Sequence, residues 1–412
     1  MQQNNPPLKG IKVVDFTTFV AGPATTKILA DWGADVIRIE TTAGDAWRKF
    51  GLALGLPASD DENPLFDMEN TNKRLVSVDA KSMKGQKIIH QLLASADVFV
   101  TNIREDALRK LHLSYDELSQ RYPRIVYAHV TGLGDKGPDA KRPGFDIVAY
   151  WARSGALIDL CEKGSSPLCP PYAFGDHPTG MTLAGGICAA LVKQRETGIG
   201  DKVSVSLFGN AIYNAGMMIM SAQKKYSDVW PKSRKNPFLP TNNTYICSDG
   251  EWIILGMIEH ERYWPILCEK VIDRPEMASD KRFNTVTECK KNSELLVAIL
   301  DEIFITKKRD EWEVLLQKAD IAYDKVAHFK EVTEDSQAWA NNNLYEHPFR
   351  NGQKCIMPRT PVQFKSTENP AIPPLVGRVG EHTDSILKEL GYAQAEIDLL
   401  ERDSVIKTCN GK

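Results

Sequence analysis

Long apolar runs are missing from this 412-residue chain, and none approaches the roughly 20 residues that a membrane-spanning helix needs. An excess of one charge is missing too. Lys and Arg number 51 and Asp and Glu 54, a net of −3. That balance excludes the broad basic surface that nucleic acid or an anionic membrane requires, while leaving room for a local basic pocket. The eight cysteines are Cys161, Cys169, Cys188, Cys247, Cys268, Cys289, Cys355 and Cys409, with no CxxC pair and no metal-type cluster. A disulfide framework and a metal site are therefore not expected, and the thiols read as reduced side chains of a cytoplasmic protein. The opening stretch Met1–Pro7 is polar and lacks an apolar h-region, so no secretory leader is expected.

What is present is an alternation of strand and helix signals over the first 205 or so residues. Ile11–Phe16 (IKVVDF) is a β-rich run, followed by a helical stretch at Ala24–Asp31 and a second strand at Val36–Glu40. Val76–Val78, Val98–Thr101, Ile125–Thr131 and Lys202–Leu207 read as further strands, with helices at Lys84–Ala96 and Thr179–Lys193. Such alternation implies an α/β fold with a Rossmann-like open parallel sheet and helices on both faces. The texture then changes. Phe208–Lys225 reads as one helix and Val229–Pro240 as a proline-rich linker. Asn243–Cys247 and Trp252–Met257 flank a Ser248-Asp249-Gly250 turn and read as a hairpin. Helices are expected at Leu295–Phe304 and Arg309–Lys318. The expected organisation is a large domain over 1–206, a connection over 207–240, a small α+β domain over 241–335, and a return to the large domain over 336–412. Pro358–Lys365 and a helical stretch at Thr383–Arg402 make up that return.

Chemistry concentrates in Phe174-Gly175-Asp176-His177-Pro178-Thr179-Gly180, where a carboxylate stands between a glycine and a helix start. Asp176 is either an N-cap, accepting from free amides of the first turn, or a nucleophile kept ionised by the helix dipole. The following small residues Gly180, Ala184, Gly185 and Gly186 permit close backbone approach. Lys73 and Arg74 precede a short strand, and Arg104 and Arg109 follow another. Such cations are either solvated or paired with ligand phosphates, and ligands collect at strand ends in open parallel sheets. Gly132–Gly144 is read as a polar loop, not as a dinucleotide turn or P-loop, and Phe19–Pro23 after the first strand is not glycine-rich. A nicotinamide enzyme is disfavoured on those grounds.

These residues resemble the class III CoA-transferases, the CaiB/BaiF group, over nearly the full length. The resemblance is carried by Leu8–Phe16 with Ala21-Gly22-Pro23, by Leu29–Glu40 (LADWGADVIRIE), by Asn72-Lys73-Arg74, Gly175-Asp176 and Gly380-Glu381-His382-Thr383. It implies that Asp176 attacks an acyl-CoA thioester and carries first the acyl group and then CoA. It implies no permanently bound cofactor, CoA being a co-substrate, and an interlocked homodimer. By position it puts CoA contacts at Phe19, Val20, Thr41, Lys73, Arg109, Thr131 and Leu133, with Arg74 and Arg104 as added cations. Thr131 and Leu133 stand where relatives often have lysine and tyrosine. The glycine-rich covering loop of formyl-CoA transferases is replaced here by Arg234–Phe238.

Within the family the sequence is most similar to the branch acting on (R)-2-hydroxy acids of the 2-hydroxyisocaproate and aryllactate type. Leu65–Asn70, Pro143–Asp146, Gly175-Asp176-His177 and Gln337–Asn341 carry that similarity. Phe145 and His177 are the candidate substrate contacts, against their alternatives as a core residue and a structural or solvent-facing histidine. The competing readings are a 2-methylacyl-CoA racemase, a transferase for short unsubstituted acids, and a non-catalytic CoA-binding protein. Racemases of this family use a Gly-His-Asp histidine as a base; here Gly144-Phe145-Asp146 places a phenylalanine that cannot accept a proton.

Overall fold

The computed structural model describes residues 5–226, 230–367 and 371–409. Val229 of the expected linker lies outside them. Two compact units are resolved: Met1–Ala156, Cys169–Met217 and Ser336–Lys412 form one, Leu157–Leu168 and Met218–Asp335 the other.

The first unit is built on strands β1 (Lys12–Phe16), β2 (Asp35–Glu40), β3 (Arg74–Val78), β4 (Val98–Thr101), β5 (Val126–Thr131) and β6 (Lys202–Ser206), plus Ile406–Lys407 at one edge. Their order across the sheet is Ile406–Lys407, β3, β2, β1, β4, β5, β6. All neighbours are parallel except the Ile406–Lys407 edge, which runs antiparallel to β3. The sheet is apolar on both faces because helices cover both. Val13, Val36, Val98, Val100, Ala128 and Val130 pack to one side with Leu29, Leu183 and Ile187. Val14, Ile39, Val76, Phe99 and Tyr127 pack to the other with Ile88, Leu92, Ile386 and Leu400.

The order reverses between β1 and β4. In a doubly wound sheet that reversal opens a crevice at the carboxyl ends of the two strands, where ligands bind. The loops there are tied together: Thr18 N–H donates to Asn102 Oδ1 (2.9 Å), and Asn102 Nδ2 donates to the Thr18 carbonyl (2.7 Å).

Helix Asp176–Thr197 lies against helix Ala21–Asp31. Their crossing is close: a Cβ on residue 180 would lie 3.1 Å from Ala21 O, Ala24 Cβ and Thr25 N, tighter than an ordinary van der Waals contact. The expected helix at Thr179–Lys193 thus begins three residues earlier, with Gly175 as N-cap and no side-chain capping bond. Asp176 is the first helical residue, and the capping alternative does not hold.

Two other expectations are corrected, and a third reading is qualified. Phe208–Lys225 is two helices, Leu207–Asn214 and Gly216–Ser221. Thr383–Arg402 is interrupted at Gly391 (φ 91°), giving Thr383–Glu389 and Gln394–Arg402. The spacing Gly132-x-Gly134-x-x-Gly137 literally matches a dinucleotide turn, but it follows the fifth strand and regular helix resumes only at Asp146, so no helix N-terminus is presented there.

In the second unit Thr244–Ile246 and Trp252–Leu255 form the expected hairpin, and Tyr323–Lys325 adds a third antiparallel strand. Its own core holds Tyr245, Trp264, Phe283, Phe304 and Trp312.

Candidate active site

Asp176 is half-buried at the N-terminus of its helix. The turn that presents it is fixed from below. Gly175 N–H donates to Asp146 Oδ1 at 3.0 Å, and Thr179 Oγ1 donates to the Gly175 carbonyl at 2.8 Å. Asn210 Nδ2 in turn donates to Thr179 Oγ1 at 3.0 Å. A Cβ at residue 175 would lie 2.3 Å from both Asp146 Oδ1 and the Tyr150 ring, so only glycine fits before the aspartate.

Burial, and after it the Asp146 carboxylate, push the Asp176 carboxyl up to about 7; His177 acts in the opposite direction. His177 Nε2 lies 2.7 Å from Oε1 of the buried Glu69 on helix Pro64–Asn70. Burial, the largest influence, lowers the imidazole, but the carboxylates of Glu69, Asp176 and Asp146 together outweigh it and the net shift is upward. This Glu69–His177 pair was not foreseen in the sequence, because 108 positions separate its members.

Asp176 opens onto a cavity of about 680 Å³ at the β1/β4 crevice. Thr18–Ala21, Asn102–Ala107, His129–Gly132, Phe145 and the cations Arg104, Arg109, Lys141, Arg142 and Lys202 line it. Four of the cations have acidic partners: Arg109 with Glu105 and Asp116, Lys141 with Asp106, Arg142 with Asp139, Lys202 with Asp135. Arg104 is exposed and forms no ion pair among the described residues. Phe19, held at φ 60°, meets Phe145 edge-on with ring centroids 5.6 Å apart. The chamber therefore offers one cation without an ion pair among the described residues, Arg104 on the β4 loop, and an aromatic pair, Phe19 and Phe145. A phosphorylated ligand with an apolar end suits that division.

Of the expected contacts, Phe19, Val20, Arg104, Arg109, Thr131, Phe145 and Asp176 line this cavity. Thr41, Lys73, Arg74, Leu133 and His177 do not. The Lys73 ammonium is buried and donates to Asp15 Oδ2 (3.1 Å), Asn70 Oδ1 (3.1 Å) and the Pro23 carbonyl (2.9 Å). Arg74 bridges Asp35 (2.7 Å) and Glu389 (2.8 Å). Thr41 Oγ1 donates to the Gly44 carbonyl, and Leu133 packs against the core. Asp146 was present in a motif without an assigned role; only the folded backbone brings it to Gly175, and Asn102 to Thr18.

A family model described as CoA-transferase family III matches residues 8–383. The chain is 42% identical to (R)-2-hydroxy-4-methylpentanoate CoA-transferase of Clostridioides difficile, over 97% of this chain and 99% of that one. It is 38% identical to cinnamoyl-CoA:phenyllactate CoA-transferase of Clostridium sporogenes, covering 98% of each. Among solved structures, a CAIB/BAIF family protein from Brucella suis superposes with a TM-score of 0.79 at 27% identity, over 94% of this chain and 100% of that one. A doubly wound sheet with an aspartate at its ligand crevice thus carries a matched sequence across nearly all its length, and the chain belongs to CoA-transferase family III.

Proposed function

We propose that this CoA-transferase moves CoA from an acyl- or enoyl-CoA to an (R)-2-hydroxy acid, with Asp176 as the covalent carrier. The observation that carries the reading is the position of Asp176: a carboxylate at a helix N-terminus, opening onto the cavity at the β1/β4 crevice that Arg104, Phe19 and Phe145 also line. The 2-hydroxy acid class is supported by the two clostridial relatives, whose names specify 4-methyl-2-hydroxypentanoate and phenyllactate.

The steps balance as follows. An Asp176 oxygen attacks the thioester carbonyl; the C–S bond breaks, leaving an aspartyl–acyl anhydride and CoA thiolate. The thiolate attacks the aspartyl carbonyl, giving an aspartyl-CoA thioester and the donor's free carboxylate. The incoming 2-hydroxy acid's carboxylate attacks that thioester, expelling the thiolate and forming a second anhydride. The thiolate then attacks the acceptor's carbonyl, releasing the new acyl-CoA and free Asp176. Splitting the exchange into carbonyl substitutions lets one group serve four easier transfers.

Phe19 and Val20 are assigned to the pantetheine, Arg104 and Arg109 to the phosphates and Thr131 to the cavity floor. Phe145 is assigned to the acid's side chain, supplying a wall where a racemase would need a base. A homodimer is part of the same reading, supported by the exposure of Tyr213 (85%) and Met217 (79%).

Asp176→Ala is expected to lower exchange by at least about 10³-fold. Wild-type protein quenched during turnover should show an acyl or CoA adduct on the peptide containing Asp176 by mass spectrometry. Full exchange in Asp176→Ala would rule the carrier out.

A further inference from the structure

Asp146 begins the π-helical turn Asp146–Ala152 and is only 5% exposed. Its Oδ1 accepts from the amide of the residue before the carrier (3.0 Å), while Oδ2 is buried with no hydrogen-bond partner among the described residues. The four transfers above do not use it. Resting on the carrier reading of Asp176, we propose that Asp146 is a positioning residue with an electrostatic role. It anchors the Gly175 turn and, as a like-charged neighbour, makes the free Asp176 carboxylate less stable than its uncharged acyl forms.

The geometry supplies both halves. The Gly175 bond holds the turn at the distance where residue 175 has no room for a Cβ. Oδ2 has no hydrogen-bond donor among the described residues, so the Gly175 N–H on Oδ1 offsets only part of the Asp146 charge. The remaining charged groups acting on Asp176 are His177, on its own helix, and Glu69, from Pro64–Asn70. Those two bond to one another, so their fields partly cancel at Asp176. Burial raises the Asp146 carboxyl to about 6, with the Gly175 N–H opposing the shift. Near neutral pH the two carboxyls therefore compete for charge. Converting Asp176 to an anhydride or thioester removes its charge and relieves that repulsion.

Asp146→Asn tests this, because an amide oxygen can still accept from Gly175 while the charge is gone. A protonated Asp176 is no nucleophile, so exchange falls on the acid side. Without the neighbour's charge Asp176 ionises at lower pH. The acid limb of kcat/KM is expected to move down by about one pH unit, and the fraction trapped as adduct at neutral pH to fall. A purely structural Asp146 would lower Tm and leave the limb in place. An unmoved limb in folded Asp146→Asn overturns the proposal. Should that variant not fold, Asp146→Ser, which also removes the charge, is read the same way, and an unmoved limb there overturns the proposal. An inactive Asp176→Ala with an unmoved acid limb rejects only the role of Asp146; an active Asp176→Ala rejects the carrier reading itself.

Discussion

Arg104 shows what one side chain can reveal about the cavity. The other four cations that line it already face carboxylates, so a ligand phosphate gains less there than at an uncommitted guanidinium. Arg104 is uncommitted among the described residues and sits on the loop leaving β4. Arg104→Ala is expected to raise KM for acyl-CoA about ten-fold with kcat little changed, the size of one charge-assisted hydrogen bond. The penalty should shrink as salt is added, because the site is exposed. A kcat loss at constant KM would place Arg104 with the chemistry instead of with the phosphates.

Among elements, the ionic cluster beneath the β1 turn does the joining. Lys73 links the start of β3 to Asp15 on β1, to Asn70 at the end of helix Pro64–Asn70, and to Pro23 in helix Ala21–Asp31. Arg38 on β2 pairs with the same Asp15 and with Asp45. Burial depresses the Lys73 ammonium to about 8 even with Asp15 beside it. Removing a partner from such a buried set leaves an uncompensated charge. Lys73→Ala is expected to destabilise the fold by about 3–5 kcal/mol, read as a fall in denaturant midpoint, with a KM for acyl-CoA that does not depend on salt in a new way. A raised, salt-sensitive KM at unchanged stability would return Lys73 to a phosphate. Sequence could not separate these outcomes: a Lys-Arg pair before a strand looks the same whether its acid is a ligand or Asp15, 58 positions away.

At the level of the whole chain, what the sequence made legible follows from period and punctuation. Strands β1 to β6 were recognisable as short β-branched runs bounded by turns; their length and punctuation, not their period, told them from buried helix. Asp176 was visible through the glycine before it and the small residues after it. What stayed hidden was long-range. Asp146 reaches Gly175 across 29 positions and Glu69 reaches His177 across 108. The helix breaks at Ala215 and Gly391 escaped because flanking apolar periodicity runs through them. The proposed homodimer belongs to this scale as well. Light scattering should return twice the 46.0 kDa chain mass at micromolar concentration, and Tyr213→Asp with Met217→Asp should reduce it. A monomeric wild-type protein would remove the dimer from the reading.

The two-residue strand Ile406–Lys407 is the last piece of the main sheet, zipped against Val78 and Ser77 of β3. Until it arrives, β3 has bare amides along one side, a template on which stray chains can polymerise. The ribosome must therefore release some four hundred residues before the sheet's open flank is shielded. During synthesis the nascent enzyme carries a sticky border that only its own tail closes.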